Sequence, residues 1–491
     1  VSPAGTAGIV VVGNGMAGSR LVGELRARDA ATPVTVFGAE PQRPYNRVLL
    51  SNVLAGVTRP EHIGLVDAAW YASHGVDARL GVEVTRVDRA AKTVHASDGT
   101  DTPYGTLVLA TGSAAFVPPL PGLRDGLPDG ALVFRTLDDC RRISVLAESA
   151  RRAVVVGGGL LGIEAARGLA GRGLDVTVLH QAGHLMERQL DRAAGKFLAR
   201  TLAALGIATR LQARVTGLRT SARGAVTGVE LALPGGGTET ADTDLVVLSC
   251  GVRPKTALAR DAGLAVGRGV IVDDELRSVT DPSVRAIGEC SEHRDEVYGL
   301  VAPAWEQAGV LAGLLAGTDP AARFTGARQI TRLKAAGIEL ASMGETHFGD
   351  DDAGVEIVRF TDAARGTYKK AVIRDGRLIG AILLGETSAA GTLTQLYDRA
   401  GPLPAERLGL LFPGLDAPAP AGEPLRMPEA ATVCHCNDVS KGRIRACWER
   451  GARTAADVAR ETRAGTGCGT CRDAVEGIVA WLAGQEPARV P

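Results

Sequence analysis

Apolar residues along the chain fall into short, nearly unbroken blocks separated by glycine-rich turns. Ile9–Val12, Thr106–Ala110, Ala153–Val156, Val176–Leu179 and Asp244–Ser249 are such blocks, the pattern of strands covered on both faces in a parallel sheet. Arg20–Arg28 and the alanine-rich Ile163–Ala170 read as helices, and Val34–Phe37 as a further strand. Val82–Val87 and Thr93–Ala96 alternate as in a small antiparallel meander. Val355–Phe360, Tyr368–Arg374 and Leu378–Leu384 follow much later, the last two flanking Asp375-Gly376, a hairpin signal. Strands alternating with helices predict an α/β fold.

Two of the turns carry chemistry. Gly13-Asn14-Gly15-Met16-Ala17-Gly18 lies between a strand and a helix, and a second strand follows. Strand, glycine turn, helix and strand make the dinucleotide fingerprint. The first glycine allows the tight turn, the second lets the backbone approach a pyrophosphate, and the third lets helix and strand pack closely. The helix N-terminus then offers free N–H groups and partial positive charge to the phosphate. Glu40, after Val34–Phe37, is placed to accept hydrogen bonds from an adenosine ribose. Gly157-Gly158-Gly159-Leu160-Leu161-Gly162 repeats the arrangement about 140 residues on, implying two Rossmann-like units and two dinucleotides. Glu164, read in the first turn of the second helix, is placed there to complement the helix dipole. His180 stands where an acid often selects NAD, and Arg188 is the one arginine near enough to suit a 2′-phosphate, so the fingerprint leaves NADH and NADPH both open.

Other segments carry fainter signals. Arg47, in Arg43-Pro44-Tyr45-Asn46-Arg47, reads either as part of a turn before a buried helix or as a contact to phosphate or a flavin edge. Thr111-Gly112-Ser113 ends a buried strand, and Pro118, Pro119 and Pro121 mark a crossover. Gly288-Glu289 is either a surface turn or an acid at a strand end that reaches a ribityl hydroxyl. Pro303 suits the first position of a helix starting near Ala304, whose N-terminus, with Glu306 and Gln307, would stabilise negative charge on a reduced flavin. Residues 326–412 form a smaller α/β or α+β domain without a catalytic constellation, expected to act as an interface or a lid. Pro413–Glu429 is rich in Pro, Ala and Gly, a semi-rigid linker.

Cys434-His435-Cys436 and Cys468-Gly469-Thr470-Cys471 follow the linker. Two close thiolate pairs suit a [2Fe–2S] cluster or a structural zinc. Between them Lys441–Arg450 and Ala455–Glu461 have helical patterns, and glycines 465, 467 and 469 leave N–H groups to point at sulfur. A neighbouring flavin gives a cluster an electron source, whereas zinc has no redox chemistry, so [2Fe–2S] is preferred. His435 is expected to face solvent. Cys140, Cys250, Cys290 and Cys447 are isolated and read as small core residues, and Trp448 and Trp481 as the core of the terminal module.

Composition narrows the class. The chain has 491 residues, 45% apolar and 22% charged, with 55 basic and 55 acidic side chains. Zero net charge points away from nucleic acid and anionic membranes. No apolar run is long enough to span a bilayer, and the opening VSPAGTAG shows no signal peptide. Eight cysteines in such a length do not make a disulfide scaffold. A cytoplasmic protein is expected, with a homo-oligomer neither required nor excluded.

These segments together resemble the pyridine-nucleotide–disulfide oxidoreductase class in its ferredoxin/rubredoxin reductase and nitrite reductase branch. The tail resembles the bacterioferritin-associated-ferredoxin-like (BFD-like) [2Fe–2S] domain. The stretches ARGLAGRGLDVTVLHQAGHLMERQLD and GLVAPAWEQAG are similar to the assimilatory nitrate reductase electron-transfer subunits and the N-terminal part of NAD(P)H nitrite reductase large subunits. The resemblance implies a split FAD domain (1–113 and 256–325), an inserted NAD(P) domain (114–255), a small interface domain (326–412), a linker (413–430) and a cluster domain (431–485). FAD would be held by Gly13, Gly15, Met16, Ala17, Gly18, Glu40, Arg47, Val84, Ala110, Thr111, Gly112, Gly288, Glu289, Glu306 and Gln307. NAD(P)H, with the resemblance tilting toward NADH, would be held by Gly157, Gly159, Leu160, Leu161, Gly162, Glu164, His180 and Gly251, with Glu164 the catalytic candidate, in contact with the nicotinamide as the alternative to its helix-dipole role. Cys434, Cys436, Cys468 and Cys471 would ligate the cluster. Disulfide reductases of this class carry redox cysteines on the helix after Arg47; here that helix has none, which argues against thiol–disulfide chemistry.

Electron counts then set the expected order, because nicotinamide gives two electrons together, a cluster takes one, and flavin can do both. The siroheme and [4Fe–4S] cysteine region of nitrite reductases does not follow the cluster module. The expected role is therefore to feed a separate nitrate or nitrite reductase subunit. Two alternatives stand: a ferredoxin or rubredoxin reductase serving an oxygenase, and a redox-sensing or zinc-stabilised partner-binding protein.

Overall fold

The blocks flanking the two glycine turns build two separate five-stranded parallel sheets. The structure is a computed structural model; it describes residues 8–121, 123, 126–233, 235–399, 401, 403–412, 427–434, 437, 439–466 and 471–485. The first sheet runs Val284–Ala286, Thr106–Leu109, Ile9–Val12, Val34–Gly38, Val76–Leu80. The second runs Ile207–Leu211, Asp175–His180, Arg152–Val156, Leu245–Leu248, Ala131–Val133. Ile9–Val12 pairs with Val34–Gly38 on one side and Thr106–Leu109 on the other. Strand order therefore reverses at its carboxyl end, the place where ligands bind in open α/β sheets. All four residues of Ile9–Val12 and of Leu245–Leu248 are buried, as unbroken apolar blocks require. Val76–Leu80, Ala131–Val133 and Ile207–Leu211 complete the sheets with too little apolar sequence to have announced themselves.

Both sheets belong to one compact unit, residues 1–183 with 206–329. The chain passes between the sheets twice, and the crossings pair with each other as the antiparallel strands Ser113–Ala115 and Val252–Pro254. The Thr111 hydroxyl donates to the Lys255 carbonyl at 2.8 Å and the Lys255 N–H to the Gly112 carbonyl at 2.8 Å, closing the crossing. The expected meander is present as Val84–Asp88 and Thr93–Ala96 and gains a third strand, Asp101–Pro103. A second antiparallel trio, Arg214–Thr220, Val226–Ala232 and Thr238–Asp242, went unread.

Helices start earlier than their apolar spacing suggests. The first is Met16–Arg28 and the second Leu160–Ala170, each opening directly after the middle glycine of its turn. Glu164 is thus in the second helical turn, not the first, and the helix-dipole role falls away. The later helix is Val301–Leu315, so Pro303 stands at its third position rather than its first. The first four N–H groups of a helix have no partner within it, so proline is tolerated there.

The second unit comprises His184–Leu205 and the chain from Ile330 onward. Its sheet is wholly antiparallel, in the order Ile330–Ala335, Ile338–Gly344, Arg377–Leu384, Thr367–Arg374, Glu356–Asp362, with the helix Ala390–Arg399 beside it. The three expected strands are there with two more before them. Asp375 and Gly376 both take positive φ, 51° and 69°, as the tight hairpin turn requires. His184–Leu205 leaves the second parallel sheet between two adjacent strands of it and belongs with this antiparallel sheet. Its helix Arg192–Ala204 sets Phe197 against Tyr368, ring centroids 5.8 Å apart.

The terminal module has strands Thr432–Cys434 and Val439–Ser440 and helices Lys441–Glu449, Ala455–Thr462 and Arg472–Gln485. Trp448 is in its core, as expected. Trp481 is not: it lies at the margin, half-buried, with Lys441 and Arg445 over its ring at 4.9 and 5.3 Å. Among the described residues no helix is long and apolar enough to cross a membrane.

Candidate functional site

The two glycine turns are built alike to within a few tenths of an ångström. Gly13 has φ +115°, and a Cβ there would stand 2.1 Å from the Ala110 carbonyl oxygen; Gly157 has φ +117° and would meet the Ser249 carbonyl oxygen at 2.2 Å. A Cβ on Gly18 would lie 1.9 Å from the Gly13 carbonyl oxygen, and one on Gly162 1.9 Å from that of Gly157. The fold itself therefore demands the first and third glycines. Gly15 and Gly159 differ: a Cβ on either would meet nothing within 4 Å. Each is the N-cap of its helix, with no side-chain cap and no acid in the first turn. An open cradle lined by free N–H groups fits a pyrophosphate, so the residues present suit a dinucleotide in both places.

Several candidate residues gather around the first cradle. Gly288, at φ +74°, faces Ala17, whose Cβ would lie 2.9 Å from a Cβ placed on Gly288. The Gly288 N–H donates to Oε1 of Gln307 at 2.7 Å, and the Trp305 indole N–H to the Met16 carbonyl at 3.2 Å. Met16, Ala110 and Gln307 are buried; Gln307 braces the turn from inside the protein. Glu306, one residue earlier, is exposed. Val84 is a core residue whose strand is tied beside the cradle by the Val82 N–H donating to the Gly38 carbonyl at 3.1 Å. Asn14, between the first two glycines, accepts the Tyr71 hydroxyl at 2.7 Å.

Glu40 and Arg47 pair directly, and distant Glu289 joins them through a residue that sequence reasoning missed. Arg47 pairs with Glu40 and donates to the Arg135 carbonyl at 3.3 Å. The Arg135 guanidinium holds the Ser113 hydroxyl at 2.7 Å and pairs with Glu289, which also accepts from Ser113 at 2.5 Å. Arg47 opens the short turn Arg47–Leu49 before the buried helix Leu50–Leu54, and its side chain also belongs to a charged network. The Arg135 N–H reaches Asp139, whose side chain completes a capping box on the helix Leu137–Ala147. A threonine and an aspartate three residues apart signal that cap, but nothing in the sequence signals Arg135 itself.

At the second cradle Glu164 is buried at 6% exposure on the helix Leu160–Ala170, and Leu160 and Leu161 open that helix half-buried. His180 ends the strand Asp175–His180, and its Nδ1 accepts the Gly158 N–H at 3.1 Å, so the imidazole braces the glycine turn. Gly251, at φ +93°, accepts the Phe116 N–H through its carbonyl at 2.9 Å. Cys250 lies beside this turn with its thiol on the Val156 carbonyl at 3.5 Å. Burial pushes the Cys140 and Cys250 thiols up to about 11. Cys140 points at the Leu50 carbonyl, and Cys290 and Cys447 are fully buried. Cys140, Cys290 and Cys447 are the core residues expected, and Cys250 is half-buried.

Of the cysteine quartet, Cys434 and Cys471 are described; Cys436, Cys468 and His435 lie outside the described residues, as do Gly467 and Gly469. Cys434 and Cys471 are buried and hydrogen-bonded to each other, an interaction that pulls the Cys434 thiol down. The Gly465 N–H reaches the Cys471 sulfur at 3.2 Å, and the Asn437 amide the Cys434 sulfur at 3.8 Å. Soft sulfur donors brought together, with N–H groups aimed at them, fit an iron–sulfur cluster.

Comparisons agree with this geometry. Residues 7–308 match the pyridine nucleotide-disulphide oxidoreductase model, 330–399 the rubredoxin NAD+ reductase C-terminal domain, and 432–481 the BFD-like [2Fe-2S] binding domain. The chain is 36% identical to the nitrite reductase [NAD(P)H] of Bacillus subtilis (strain 168), over 97% of this chain and 58% of that protein. It is 34% identical to the assimilatory nitrate reductase electron transfer subunit of the same organism, over 98% of this chain and 61% of that protein. The chain thus spans about three fifths of the length of these relatives. Among solved structures, the ferredoxin reductase for the CYP199A2 system from Rhodopseudomonas palustris superposes with a TM-score of 0.71 at 25% identity, covering 81% of this chain and 98% of that one. The cofactors that go with these matches are FAD, NAD(P)H and a [2Fe–2S] cluster. Its two glycine cradles and the match over residues 7–308 place this chain in the pyridine nucleotide-disulphide oxidoreductase family, with a BFD-like [2Fe–2S] binding domain on the same polypeptide.

Proposed function

We propose that this protein takes electrons from NAD(P)H and delivers them to a separate nitrate- or nitrite-reducing catalytic subunit. The observation that carries the reading is the presence, on one chain, of two dinucleotide cradles and a buried pair of free cysteines. Flavin, when bound, supplies the conversion between a nicotinamide's electron pair and the single electrons a cluster accepts. The residues of this chain bind, orient and exclude water. Gly13, Gly15 and Gly18 would cradle the FAD pyrophosphate, with Glu40 on the ribose and Glu289 toward the ribityl chain. Gly157, Gly159 and Gly162 would cradle that of NAD(P)H, and buried Glu164 would orient the nicotinamide. Cys434, Cys436, Cys468 and Cys471 would hold the cluster.

The likeness to the Bacillus subtilis electron transfer subunit over 98% of this chain supports a nitrate or nitrite reductase as the acceptor. The ferredoxin reductase reading fits less well, because a [2Fe–2S] binding domain is already on the chain. We place the protein in the cytoplasm, where thiolate ligands stay reduced. Anaerobic NADH titration followed by visible absorbance and electron paramagnetic resonance tests the reading. Bleached flavin together with a reduced-cluster signal is expected, with iron and acid-labile sulfide in the purified protein. Zinc without sulfide, or fast reduction of an added ferredoxin with none of nitrate reductase, would overturn it.

A further inference from the structure

Both oxygens of the Glu40 carboxylate are engaged from within the protein. The Tyr45 hydroxyl donates to Oε2 at 2.7 Å, and the Arg47 guanidinium pairs with Oε1. A carboxylate oxygen has two acceptor directions, so each keeps one. The Glu40 side chain is 32% exposed, which leaves those directions accessible to a ligand. The Tyr45 hydroxyl has a single hydrogen. Its acceptor side is occupied by the Leu137 N–H at 3.0 Å, so the hydrogen is committed to Glu40. Leu137 is the first residue of the helix Leu137–Ala147, whose opening N–H groups have no partner within the helix and carry its positive end. A chain of hydrogen bonds therefore runs from helix terminus to phenol to carboxylate. The same ring lies under the Arg47 guanidinium, 5.0 Å from its carbon, and Tyr45 is only 5% exposed. One buried side chain thus sets both neighbours of the carboxylate.

We propose that Tyr45 is a positioning residue that presents Glu40 as a two-point acceptor for the vicinal hydroxyls of the FAD adenosine ribose. The inference rests on the reading of Glu40 as the ribose acceptor. Two hydroxyls on adjacent carbons need two acceptor directions fixed side by side, and a carboxylate free to rotate offers them only part of the time. Tyr45 and Arg47, one on each oxygen, remove that rotation.

The test is titration of the flavin-stripped full-length chain with FAD and with its 2′-deoxyadenosine analogue, read by flavin fluorescence. The unsubstituted protein is expected to bind FAD roughly tenfold more tightly than the analogue, the worth of one hydrogen bond to a charged group. Tyr45→Phe keeps the ring under Arg47 and removes the hydroxyl. It is expected to weaken FAD roughly tenfold and the analogue much less, so that discrimination collapses. Equal weakening of both, which a merely structural role would give, overturns the proposal, as does retained discrimination. In the E40Q background Y45F is expected to change FAD affinity less than about twofold; a full loss there also overturns it. E40Q by itself, which leaves the tyrosine intact, is expected to lose the discrimination. No discrimination by the unsubstituted protein would remove the ribose reading of Glu40, and the proposal with it, whereas discrimination that survives Y45F removes the proposal alone.

Discussion

The Lys370 ammonium lies 2.8 Å from Oδ2 of Asp191, and the lysine is 1% exposed. Two carbonyls, those of Thr346 and Phe348, complete its shell at 2.9 and 2.6 Å, and the Tyr368 hydroxyl shares the carboxylate at 2.7 Å. Asp191 also caps the helix Arg192–Ala204 through the Ala194 N–H. This pair fastens the His184–Leu205 excursion to the antiparallel sheet. Lys369 points to the other face of the same strand, pairing with Glu386 and donating to the Leu411 carbonyl at 2.8 Å.

Removing one member of a buried pair leaves the other charged and uncompensated. Lys370→Met is therefore expected to destabilise the second unit by about 3–5 kcal/mol, measured by urea denaturation, with the K370M/D191L double substitution costing less than the single one. Burial pushes the Asp191 carboxyl up, but the Ala194 N–H, Lys370 and Tyr368 outweigh it and hold it below the ordinary range. A depressed carboxyl adds stability that is fully present above its unfolded value, about pH 4, and is lost as pH falls through the folded one. The K370M penalty should accordingly be smaller at pH 3 than at pH 7.

The glycine turns separate demands of the fold from demands of the ligand. Gly15→Ala should leave circular dichroism and melting close to those of the natural protein while flavin absorbance is lost. Gly159→Ala should retain flavin and raise the KM for NAD(P)H. Gly18→Ala and Gly162→Ala should fail to fold, because their Cβ atoms would stand 1.9 Å from a carbonyl oxygen. Equal folding defects in all four would contradict this division.

Cys434→Ser should abolish iron and acid-labile sulfide without loss of FAD. Electron transfer from NADH to ferricyanide, accepted at the flavin, should persist, while delivery to the physiological acceptor should stop. Iron content, flavin spectra and the two activities check each part of this expectation.

The isolated thiols should be inert. With Cys140 and Cys250 pushed up to about 11 by burial, only on the order of one in ten thousand would be thiolate at pH 7. Iodoacetamide labelling of Cys140, Cys250 and Cys290, mapped by mass spectrometry, should be slow in the folded protein and rapid in urea. Rapid labelling of Cys250 in the folded protein would contradict its burial beside Val156.

Legibility tracked locality. The turns at Gly13 and Gly157 and the Asp375-Gly376 hairpin were readable because each depends on φ or on close approach within a few residues. Helix starts were misplaced because Met16 and Leu160 follow a glycine N-cap, which carries no side-chain capping signal. Glu40 and Glu289 could be nominated singly as acids at strand ends, and Arg47 as a base in the turn before a helix. That they share one network could not, since Arg135 joins them through a carbonyl and a guanidinium and no spacing marks it.

By itself the sequence determined two dinucleotide turns, the buried strands leading into them and a terminal thiolate module. Those features follow from steric limits on glycine, from apolar periodicity and from the chemistry of cysteine, all local properties of the chain. Tertiary structure alone decided that Arg192–Ala204 packs on the antiparallel sheet, that Trp481 stays at the margin of its module, and that Tyr45 directs its hydrogen to Glu40. Each of these depends on partners brought together from distant parts of the chain, where burial leaves a polar group no water to bond and selects the one neighbour that satisfies it.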